Sequence, residues 1–185
     1  MKSLRKFLLG TVSTVLLTTL PYGASACGPR LKVEFFESSD GDLFEVSNVS
    51  QVSWSVKTLT IILSGSRGRL IFDTASGGLG ASMPAPLYVI SGDVGFESAS
   101  QVDDGGETVA LLFNAFLPGR RFVFSIDVDD RLDPSGFGQA DVSDAEMSGA
   151  SAVAEMVNSN GRTSQIKGVF TDSAIARLGG GELCA

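Results

Sequence analysis

Histidine is absent from all 185 residues, and that gap removes most familiar hydrolytic chemistry. Ser-His-Asp and Cys-His nucleophile systems need an imidazole as base, and the usual zinc sites need imidazole or several thiolates. Thiolates are scarce too, since the chain has two cysteines, Cys27 and Cys184. Basic side chains are outnumbered, with 14 Lys and Arg against 21 Asp and Glu. That balance argues against nucleic acid, or anionic lipid held through a basic patch, as a partner.

What is present first is an export signal. Lys2, Arg5 and Lys6 precede the apolar stretch "FLLGTVSTVLLTTL", and Ala24-Ser25-Ala26 supplies a small-residue cleavage site. Together these describe a secretory signal peptide over residues 1–26, with a mature domain over 27–185 that is secreted or periplasmic. The rival reading is a retained membrane anchor, but the apolar run falls short of the roughly 20 residues needed to span a bilayer, and Pro21 follows it. The mature 159 residues suit one domain with its own core. They keep 11 basic and 21 acidic residues, a formal charge of −10. An acidic exported chain suits divalent cations, although solubility is the commoner reason for such a balance.

An even cysteine count in an exported chain favours a disulfide between Cys27 and Cys184. Closing so long a loop is worth on the order of 5 kcal/mol, less any strain. The alternative is a lipid anchor at Cys27, because "ASAC" resembles a bacterial lipoprotein signal, though Ala24 stands where Leu is usual and Cys184 is then left unpaired.

Downstream, short runs rich in Val, Ile, Thr, Phe and Trp alternate with turn clusters, the pattern of β-strands. The stretch 56–73 reads as a hairpin turning at Gly65-Ser66-Arg67-Gly68. Pro118-Gly119 suits a type II turn between "TVALLFNAF" and "RFVFSIDV", with Pro presetting φ and Gly accepting a positive one. Residues 143–157 are ambiguous. Ser143 and Glu146 match a capping box, but Ser148, Gly149 and Ser151 weaken a helix, so the reading preferred is two strands around a bulge at Gly149. Strands every 8 to 12 residues or so, without alternating helices, indicate an all-β fold, a single antiparallel β-sandwich.

The chemistry to be weighed is acidic. In "FVFSIDVDD", residues 122–130, Phe122, Phe124, Ile126 and Val128 share one strand face, while Asp127 and Asp129 share the other, expected to be exposed. Asp130 and Asp133 follow where the strand gives way. Neighbouring carboxylates call for a cation or an Arg, and both calcium and Arg131 are candidates. Asp127, Asp129, Asp130 and Asp133 form the candidate calcium site, set against a solvated strand end. An EF-hand is excluded, since counting from Asp127 puts Arg131 at the fifth ligand position, Leu132 where Gly is needed and Gly138 where the Glu belongs. "LIFDTASGG" ends an apolar strand in Asp73-Thr74 and so resembles the Asp-Thr-Gly turn of aspartic proteases. Ala75 replaces the Gly and the turn occurs once, so Asp73 and Thr74 read as a strand end capping a Gly-rich loop.

The segments "VKTLTIILSGSRGRLIFDTASGGLG", "VDDGGETVALLFNAFLPGRRFVFSIDVDD" and "VSDAEMSGASAV" resemble small secreted bacterial proteins labelled "aggregation factor core" after the core protein of sponge cell-aggregation complexes. The resemblance spans about residues 43–184. It implies an immunoglobulin-like sandwich and a calcium-associated role in adhesion or matrix binding. The function expected is thus an exported, non-enzymatic module with an extracellular glycan or protein partner. A structural envelope protein, periplasmic or lipid-anchored, and a carboxylate-dependent hydrolase are the alternatives.

Overall fold

The computed structural model describes residues 28–38, 41–51, 53–81, 83–131 and 140–180. The signal segment, Cys27, Cys184 and Asp133 lie outside them. The described chain is all-β apart from one helical turn. The strands are β1 (Arg30–Phe36), β2 (Leu43–Asn48), β3 (Trp54–Ile62), β4 (Ile71–Phe72), β5 (Tyr88–Ser91) and β6 (Phe96–Ala99). They continue as β7 (Thr108–Phe116), β8 (Arg121–Ser125), β9 (Val128–Asp129), β10 (Ser151–Asn158), β11 (Thr163–Val169) and β12 (Ile175–Gly179). The helix, α1, covers Asp144–Met147.

Two five-stranded antiparallel sheets form a sandwich, one in the order β12-β1-β2-β8-β5, the other β11-β10-β3-β7-β6. Consecutive strands change sheet between β2 and β3, β5 and β6, β7 and β8, and β11 and β12. The inward positions follow the period of two that a half-buried strand requires. Phe44 and Val46 of β2, Phe122 and Phe124 of β8, Leu59 and Ile61 of β3, and Leu111 and Phe113 of β7 all meet in the core. Phe44 stacks on Phe124 at a centroid distance of 5.2 Å, and Phe113 meets Phe122 edge-on at 5.2 Å. Trp54 is buried beside them. Asn48 closes the β2-to-β3 crossing, its side-chain amide donating to the carbonyls of Trp54 at 2.7 Å and Phe116 at 3.0 Å.

Two local expectations are corrected. Residues 56–73 do not form a hairpin: β3 pairs with β7 and β10, and the chain turns through 63–70 to place β4 against β9. The hydrophobic pattern of 56–73 marks strands but does not say which strand each one joins. Residues 143–157 are not two strands around a bulge. The capping box is formed, with Ser143 Oγ accepting from the Glu146 N–H and the Glu146 carboxylate accepting from the Ser143 N–H at 2.8 Å. The turn it starts stops after four residues, Gly149 takes a φ of 95°, and the chain enters β10. Local capping decided the first half and sheet pairing the second. At the Pro118-Gly119 corner, Gly119 has φ 75° and the Arg120 N–H reaches the Leu117 carbonyl at 3.3 Å, as a type II turn requires.

A candidate metal centre at the end of the sandwich

The site is built by the small β4–β9 ladder. Ile71 pairs with Asp129 and Phe72 with Val128, so the next residue of one arm, Asp73, falls opposite Asp127. Their backbones are bonded, the Asp73 N–H donating to the Asp127 carbonyl at 3.0 Å. Side chains on one face of such a ladder stand about 4.5–5.5 Å apart at Cβ, and like charges placed directly opposite are destabilising. Asp129, two residues from Asp127, returns to the same face. Ligand oxygens of Asp73, Asp127 and Asp129 accordingly lie within 4.8 Å of one another.

The triad is covered. Asp129 is 1 % exposed and Asp130 2 %, so the wet outer face expected for this strand end is in fact roofed over, with Asp127 half-buried. The cover is the Gly-rich loop that follows Asp73. Asp104 gathers that loop, its carboxylate accepting N–H groups from Thr74 at 3.0 Å, Ala75 at 3.1 Å and Leu79 at 3.0 Å. The cap expected from Asp73 and Thr74 is therefore supplied by Asp104 from the turn before β7. The Ala81 N–H donates to Asp129 Oδ2. The loop's far end is tied back where the Ala85 N–H reaches the Asp73 carbonyl at 3.3 Å and the Asp127 N–H reaches the Ala85 carbonyl at 3.0 Å. Gly80 passes directly over the cluster; a Cβ there would sit 2.3 Å from the Asp73 carboxyl and 2.4 Å from Asp129 Oδ2.

Asp73 is the floor of the site. It is 1 % exposed, and neither of its carboxylate oxygens has a hydrogen-bond partner; Asp129 Oδ1 is also buried without one. Burial, then contact with Asp104 and Asp129, raises the Asp73 carboxyl to about 6. Burial and the charges of Asp129 and Asp73 raise Asp127 to about 7, and burial raises Asp129. Asp104, held by the N–H groups of Leu79, Thr74 and Ala75, is lowered instead. A second acidic pair borders the site. Asp42 Oδ2 accepts from the Val128 N–H at 3.0 Å, and burial next to Glu37 raises its carboxyl to about 9.

Arg131, the alternative counter-ion, is committed elsewhere: its guanidinium meets Glu107 at 2.6 Å and the Arg69 carbonyl at 3.1 Å. Of the four sequence candidates, Asp127 and Asp129 are brought together, Asp130 is buried next to them outside the triad, and Asp133 lies outside the described residues. Asp73 was missed as a ligand. Its signal was present as an Asp at an apolar strand end, but its partner strand lies more than fifty residues on and no spacing rule connects them. No family model, curated protein or solved structure matches the chain.

Proposed function

We propose that the chain is an exported, non-enzymatic β-sandwich module that binds calcium at Asp73, Asp127 and Asp129 and engages an extracellular glycan or protein partner. The observation that carries this reading is Asp73, a buried carboxylate with two unpaired oxygens facing two further carboxylates. Burying an ionised carboxylate without a partner costs several kcal/mol, and buried charges are ordinarily paired or bound to metal. The donor set is all oxygen, which suits calcium, magnesium or manganese over zinc or copper. Calcium accepts irregular oxygen shells and is favoured over magnesium, which demands a tight octahedron and dehydrates reluctantly. The non-catalytic reading is supported by size. The cavity beside Asp127 and Asp129 is about 170 Å³, below the roughly 300–1,000 Å³ of small-molecule sites. Asp73 lies under its floor, out of reach of a substrate.

The test is a calcium titration of the exported protein by calorimetry, paired with thermal melts. Calcium is expected to raise the melting temperature and magnesium to do so poorly. Asp127→Asn combined with Asp129→Asn should abolish the response. A wild-type melt unchanged across millimolar calcium would remove the proposal.

A further inference from the structure

The triad's side chains leave a bound cation under-coordinated, and the shortfall faces outward. One carboxylate oxygen each from Asp73, Asp127 and Asp129 gives three donors within 4.8 Å of one another, and Asp129 Oδ2 also accepts the Ala81 N–H. Calcium takes six to eight oxygens. Asp73 closes the inner side, since it is buried with both oxygens unpartnered and brings one of them within 4.8 Å of Asp127 and Asp129. On the other side, Asp127 and Asp129 line a cavity of about 170 Å³, walled by Glu37, Ser38, Met83 and Asp141. That space holds several waters, enough for the edge of a ligand.

We propose, resting on the calcium reading above, that the cation here is a bridging ion whose outer positions take two adjacent hydroxyl oxygens of a neutral carbohydrate. Two such donors bring the three carboxylate oxygens to five, and water completes the six to eight that calcium accepts. Charge sets the class. Glu37 and Asp141 stand in the cavity wall, so a phosphate, sulfate or uronate group would meet like charge there, whereas hydroxyls are neutral oxygen donors. Met83, 73 % exposed, offers an apolar edge against which the C–H face of a sugar can rest.

Terbium, a luminescent ion with calcium's preference for oxygen, tests this on the exported protein. Luminescence lifetimes in light and heavy water count the waters on the bound ion. The expected result is one or more metal-bound waters that neutral methyl glycosides, at millimolar concentration, displace and methyl glucuronide does not. A bound ion with no water, or with water that no neutral glycoside displaces, overturns the bridging role and leaves the calcium reading intact. Failure to take up terbium or calcium at all overturns both.

Discussion

A buried carboxylate with no donor is costly, and at Asp73 two such oxygens face Asp127 and Asp129. One substitution therefore has opposite consequences in two buffers. Asp73→Asn keeps the shape and removes a like charge, so in chelator it should stabilise by roughly 1 kcal/mol, about 2–4 °C of melting temperature for a domain of this size. In calcium the same variant should lose the gain of RT ln(1 + [L]/Kd), about 2.7 kcal/mol at a hundred times Kd in the wild type. A variant that melts lower in chelator and still responds to calcium would show that Asp73 is no ligand. Asp127 and Asp129 were readable in the sequence because their spacing of two fixes a shared face whatever the fold. Asp73 was not, because its place is set by the β4–β9 register, which is a property of the assembled chain.

At the scale of elements, the strand pattern was legible wherever one face is core: Phe122, Phe124, Ile126 and Val128 alternate as the sequence predicts, and all four are buried. What alternation cannot report is a cover on the opposite face, and the loop after Asp73 supplies one. That loop's glycines read in sequence only as turn material. Gly80 is there for space, since any side chain at that position strikes the carboxylates of Asp73 and Asp129. Gly80→Ala should thus lower calcium affinity by about tenfold or more, equivalent to roughly 1.4 kcal/mol. Calorimetry on the variant decides it, and an unaltered Kd would mean that the loop yields and does not shape the site. The same distinction explains 143–157, where the capping box specified one helical turn and the pairing of β10 with β3 and β11 specified the rest.

For the whole molecule, the described ends of the sandwich meet: Arg30 at the start of β1 pairs with Gly179 at the end of β12. A bridge between Cys27 and Cys184, a few residues beyond each, would fasten that edge, and we propose that it forms on export. Peptide mapping without reductant is expected to recover the linked pair, and recovery of a lipidated Cys27 or of two free thiols would exclude it. The acidic end of the sandwich sets the response to pH. In the cation-free protein, Asp73 near 6 and Asp127 near 7 hold protons more tightly than the ordinary carboxylate value of 3.8. Because the folded state binds the extra protons, the stability they contribute is full below about pH 4 and is lost as pH rises through 6 to 7. Asp42, at about 9, keeps its proton in the folded state across that range while the unfolded chain gives it up, so it steepens the same fall, with or without calcium. Calcium binds the deprotonated triad, so its affinity should climb over the same interval with release of protons. Melting curves across about pH 5 to 8 should therefore fall in chelator, while the gap between calcium and chelator widens. A chelated protein that grows more stable from pH 5 to 8, or a gap that narrows, would mean that these carboxylates are not the groups that calcium and protons compete for.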